Sequence, residues 1–202
     1  MTTPLSPSFE RALALFDAAN AEDPNRENAD GKEWPKELLY AQRMTEMLAR
    51  FLPDASAVVQ LACRAQHLCR WKISRGDYPM TPEGYQRWRT TLYKFHADTA
   101  GELMARAGCD EAMIEAAKKA VGKRGIKVNP DTQALEDVAS LVFIEHYMLD
   151  FSGRKQDYSE EKWLGIISKT WKKMSAEGRA FALSGQVRLP EPLLPLIQKA
   201  IQ

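Results

Sequence analysis

The sequence predicts an all-α protein, a single helical bundle over residues 1–202. Two observations carry this. Apolar residues recur at helical spacing along almost the whole chain. Alternating β-branched runs bounded by Asn-Gly or Asp-Gly turns are not found, so strands are not expected. The 202 residues, 45% hydrophobic and 27% charged, suit one domain with a real core.

Phe9, Ala12, Leu13, Phe16 and Ala19 form the first stripe. Residues 20–33 are polar and acidic and read as a solvated loop; they lack the glycine and the spaced ligands of an EF-hand. Pro35 suits the first turn of a second helix running to about Phe51. Asp54 can cap a third, to about Trp71. Thr81-Pro82-Glu83 opens a long fourth helix that Gly108 ends. Asp110 caps a fifth, closed near Gly122. The sixth spans about Asp131 to Phe151. Ser159 opens a seventh, with Trp163, Ile166, Ile167, Thr170, Trp171 and Met174 on one face. A short eighth follows Ser175. Residues 186–202 form a proline-containing tail with one last short helix.

The sixth helix is apolar on nearly every side (VASLVFIEHYML), which predicts a central, buried position for Val142 and His146. It also carries Glu136, Asp137, Glu145 and Asp150. Buried charges need partners, and arginines of neighbouring helices could supply them.

Net charge is +1, which favours neither nucleic acid nor its exclusion. Locally the balance differs. Between Arg64 and Lys94 stand seven basic residues against Asp77 and Glu83, with Trp71, Tyr78, Tyr85 and Trp88 interleaved. Arginine forks match phosphate geometry and aromatic rings stack on bases. A nucleotide or another phosphorylated ligand near residues 72–81 is one reading, with RNA as a further partner. The other is that these arginines pair with the carboxylates of the sixth helix. Lys118, Lys119, Lys123, Arg124 and Lys127 form a second basic group, which the dipole at the end of the fifth helix explains. Cys63, Cys69 and Cys109 show no metal spacing and read as reduced thiols, so a cytoplasmic location is expected. The opening MTTPLSPSFERAL does not read as a secretory signal. No apolar run approaches the roughly 20 residues of a membrane span.

The segments FDAANAEDPN (16–25), LYAQRM (39–44), RAQHLCRWKISRGDYP (64–79), YQRWRTTLYKFHA (85–97) and LEDVASLVFIEHY (135–147) resemble the bacterial and fungal family known as domain of unknown function 4202. That name implies no activity. A more distant resemblance is to the HD-type metal phosphohydrolases, all-helical enzymes in which His, His-Asp and a final Asp hold one or two divalent metals. It implies an HD-like architecture centred on the third, fourth and sixth helices, with His67, His96 and Asp137 as metal ligands. Ala97 stands where the HD aspartate should follow His96. On this resemblance the chain would be a metal-dependent hydrolase of a nucleotide or other phosphorylated small molecule, using manganese, iron or zinc. Arg70, Arg75 and Arg89 would hold the phosphate, Trp71 or Tyr78 would stack on a base, and Glu136 would be the general base. The alternative is a non-catalytic helical binding protein for a phosphorylated ligand, RNA or a protein partner, with a degenerate HD-like site.

Overall fold

A computed structural model describes residues 6–153 and 158–201. Helix α1 (Pro7–Ala21) starts where Ser6 Oγ accepts from Phe9 N, with Pro7 in the first turn. It buries Phe9, Ala12, Phe16 and, unusually, Asn20.

The expected polar loop is a structured element. Strands β1 (Arg26–Ala29) and β2 (Lys32–Pro35) pair antiparallel, with Ala29 opposite Lys32. Asp30 (φ 51°) and Gly31 (φ 73°) turn between them. Two positive φ values match the right-handed twist of a hairpin, and an Asp-Gly pair supplies them. Asp23 is fully buried just ahead of this hairpin. Its Oδ1 accepts from Asn25 N at 2.9 Å, and its Oδ2 accepts from Glu37 N at 3.0 Å. Asp23 therefore caps α2 (Lys36–Phe51) from a distance, where Pro35 offers no side chain able to do so.

Ser56, not Asp54, caps α3 (Ala57–Ala65). This helix ends well before Trp71, because the backbone at Cys69 adopts the left-handed conformation (φ 54°) and Cys69 N donates to Asn20 Oδ1 at 3.0 Å. Single 3₁₀ turns follow at Arg70–Lys72 and Arg75–Asp77. Helix α4 (Pro82–Ala107) is capped by Thr81 and closed by Gly108 (φ 83°). Helix α5 (Glu111–Val121) is capped by Asp110.

Helix α6 (Pro130–Val142), capped by Asn129, continues through a π-helical turn at Phe143–Tyr147 into α7 (Met148–Gly153). Then come α8 (Glu160–Lys173), α9 (Ala176–Ala182) and α10 (Leu194–Ile201), the first two capped by Ser159 and Ser175.

Helix α6 is central. It packs against α2, α3, α5, α8 and α9. Leu135, Val138, Leu141 and Val142 are fully buried, at about 1.5–3 kcal/mol for each such side chain. His146 departs from expectation: it lies on the π-helical turn and is only partly buried. Helix α4 packs on α1, α3 and α5. No helix among the described residues is long and apolar enough to cross a membrane.

Candidate anion-binding site

Asn20 ties together the three segments that build the site. While its Oδ1 receives Cys69 N, its Nδ2 donates to Glu37 O at 3.4 Å. The start of α2 is thereby fixed against the turn that carries His67 and Arg70.

In this turn, His67 stacks on Tyr40 of α2, with ring centroids 4.0 Å apart. Its Nδ1 lies 3.2 Å from Glu37 Oε2 and its Nε2 3.4 Å from Arg70 Nη1. A guanidinium only donates. Nε2 is therefore the acceptor, and Nδ1–H faces the Glu37 carboxylate. His96 of α4 is 2% exposed. Its Nδ1 lies 2.8 Å from Leu68 O, and a carbonyl only accepts, so the proton sits on Nδ1. The rings of His67 and His96 lie 6.0 Å apart.

Burial, then the charge of Arg70, holds His67 well below the ordinary histidine range. Burial, then His67, pushes His96 down to about 3. Both imidazoles are neutral near pH 7. Burial raises Glu37 to about 7, with Arg70 and Lys36 opposing.

Beside this polar core stands a basic, aromatic wall. The Arg70 guanidinium lies 4.8 Å from the Trp88 ring centre. That of Arg75 lies 5.9 Å from both Tyr85 and Trp88. That of Arg89 lies 5.8 Å from Tyr85 and 5.2 Å from Tyr93, whose hydroxyl accepts from it. Trp88 Nε1 donates to Ile73 O at 3.1 Å and so pins the intervening loop to α4. Arg75 donates to the carbonyls of Tyr78 and Pro79.

The two readings of these arginines separate here. The carboxylates of the central helix are satisfied by other groups. Glu136 lies 2.9 Å from Lys123 Nζ and 3.6 Å from Lys173 Nζ. Burial pushes its carboxyl up, but the two lysines outweigh this and leave it below the ordinary value. Glu145 meets Arg50 at 2.9 Å and accepts from Arg188 N. Asp137 Oδ1 accepts from Ser175 N at 2.7 Å and from Gln133 Nε2 at 2.9 Å. Among the described residues, Arg75 and Arg89 form no salt bridge, and Arg70 has only Glu37, at 3.9 Å.

Of the residues singled out in the sequence, His67, His96, Arg70, Arg75 and Arg89 converge. Asp137 does not join them: its carboxylate is spent on the turn between α8 and α9. Glu136 is an ion-paired carboxylate, a poor general base. Trp71 packs against the core and Tyr78 offers Arg75 its carbonyl. The expected metal set does not fit. No three His, Cys, Asp or Glu side chains among the described residues are arranged to hold a metal ion. A cationic guanidinium already faces His67 Nε2, where a metal would bind.

Sequence reasoning missed Glu37, Tyr40 and Lys123. Glu37 and Tyr40 are three residues apart, so they share one helix face. From sequence, a helix dipole accounts for Lys123. Its left-handed backbone (φ 56°) instead turns the side chain inward, where it is 5% exposed.

Fold and site together define a mostly helical protein in which buried His96 and partly exposed His67 stand beside a basic, aromatic-walled patch. The chain belongs to the family described as Domain of unknown function (DUF4202), whose model matches residues 10–197. No curated protein and no solved structure matches it.

Proposed function

We propose that this chain binds a phosphorylated small molecule or nucleotide, in the cytoplasm, through Arg70, Arg75 and Arg89. One observation carries the reading. Three arginines gather around Tyr85 and Trp88 while Glu136 is neutralised by Lys123 and Lys173, and Glu145 by Arg50 and Arg188. Among the described residues Arg75 and Arg89 have no carboxylate partner and Arg70 has only Glu37, at 3.9 Å; such a concentration of positive charge favours an external anion, and arginine forks favour phosphate. Calorimetric titration with pyrophosphate and AMP tests it. Binding should weaken at least tenfold in Arg75→Met and in Arg89→Met with helical content unchanged. Equal affinity in both variants would defeat the reading. A short single-stranded RNA that binds more tightly than AMP would make RNA the partner.

A second reading is metal-dependent hydrolysis of that ligand, as the HD-type resemblance implies. The proximity of His67 and His96 favours it. It would require Arg70 to move away from His67 and a third ligand to be supplied. Elemental analysis of the purified protein for manganese, iron and zinc tests it.

A further inference from the structure

His96 Nε2 is a buried nitrogen with no hydrogen-bond partner among the described residues. Buried polar atoms of folded proteins are almost always paired, and a stranded acceptor is destabilising. With Nδ1–H committed to Leu68 O, Nε2 can only accept. Its ring neighbours offer it no donor. The nearest rings are Phe95 and His67, and His67 Nε2 is itself an acceptor, already facing Arg70. That leaves the nitrogen open to a donor from outside the chain, water or a ligand hydroxyl.

We infer that His96 Nε2 receives a hydroxyl of the bound ligand, so that the site selects hydroxyl-bearing phosphate esters, such as sugar or polyol phosphates, over bare alkyl phosphates. This rests on the phosphate reading of Arg70, Arg75 and Arg89, and names the group next to the phosphate. Arg70 joins the two halves: it touches His67 Nε2 on one side and the Trp88 wall on the other. A site built to bond a hydroxyl rejects the analogue lacking it more strongly than an apolar pocket rejects an added one, because the buried partner is left unpaired.

The test is calorimetric titration of the full chain with sn-glycerol 3-phosphate and with n-propyl phosphate, which share charge and length but differ in hydroxyls. The wild type should bind the glycerol ester about tenfold or more tightly. His96→Asn keeps an N–H to reach Leu68 O but deletes the outer acceptor, and the ratio should fall to near one. Should that variant fail to fold, imidazole ¹⁵N NMR of the wild type decides instead: the His96 Nε2 resonance should move with glycerol 3-phosphate and not with propyl phosphate. Equal affinities in the wild type, with both lost in Arg75→Met, would sink the hydroxyl inference and leave the phosphate site standing. Binding of neither ester would defeat both.

Discussion

Replacing Lys123 by Met should expose how much the bundle depends on one buried ion pair. Lys123 and Glu136 side chains are only 5% and 10% exposed, with N and O 2.9 Å apart. Met matches the length of the lysine stem, and as neither residue is glycine, the strain of the positive φ at this position cancels. What remains is a buried carboxylate that has lost its main partner. Breaking a buried pair costs about 3–5 kcal/mol. Lys173 stays, but at 3.6 Å and 43% exposed, so it offsets about 0.5–1 kcal/mol. The expected loss is about 2–4.5 kcal/mol, or roughly 4–18 °C in Tm for a chain of this size. Urea denaturation with a double-mutant cycle measures it. Lys123→Met combined with Glu136→Leu should recover most of the loss, since an apolar pair in the same place is close to neutral. A single variant within about 0.5 kcal/mol of wild type, or a double variant whose loss equals the sum of the singles, would refute the argument.

His96 stays neutral in the fold down to about pH 3, whereas the unfolded chain takes up its proton near 6.5. Stability should therefore fall as pH drops below 6.5, at up to ~1.4 kcal/mol per unit for this one group, and His96→Asn should flatten that acid limb in urea melts at pH 4.5, 5.5 and 6.5. Glu37, raised to about 7, acts in the opposite sense: its contribution is complete below the ordinary carboxylate range and lost as pH rises through 7, so Glu37→Gln should lessen any decline between pH 5 and 8. Gly84→Ala should cost about 1–3 kcal/mol, because the new methyl would meet Pro79 O at 2.0 Å and a backbone carbonyl cannot rotate aside; a variant as stable as wild type by thermal melt would show that this loop is free to move. Burial pushes the Cys63 thiol up to about 12, so maleimide should label partly exposed Cys109 in the native protein and Cys63 only after unfolding.

Helix starts were legible because a short polar side chain must satisfy free N–H groups. Thr81, Asp110, Ser159 and Ser175 were read correctly on that rule alone. The hairpin was not, although Asp30-Gly31 is a strong turn signal. Its strands, Arg-Glu-Asn-Ala and Lys-Glu-Trp-Pro, lack the alternating apolar residues that mark a half-buried strand. Periodicity alone carries the third helix past Ala65, where the structure ends it. What stops it is tertiary: the buried side chain of Asn20 captures Cys69 N. The clustering of Arg70, Arg75 and Arg89 in the candidate site was legible because these residues are close in sequence. Asp137 was misplaced because spacing along a chain does not say which side of a central helix a residue faces. Lys123 escaped for a similar reason, since only the backbone twist after α5 turns it inward.

The π-helical turn at Phe143–Tyr147 holds one residue more than a regular turn would. Along a helix one residue is ~100° of rotation, so this turn works as a phase shifter. Before it, Glu136 and Asp137 serve Lys123 and the start of α9; at its end Tyr147 turns to Arg43 on α2, and beyond it Met148 turns to the core. The two halves are thus out of step by design of the backbone, and each can keep its own apolar stripe. Deleting any one residue within Phe143–Tyr147 would bring the halves back into register and rotate Met148 and everything after it away from its neighbours. This short stretch should therefore tolerate exchanges of side chain far better than a change of length.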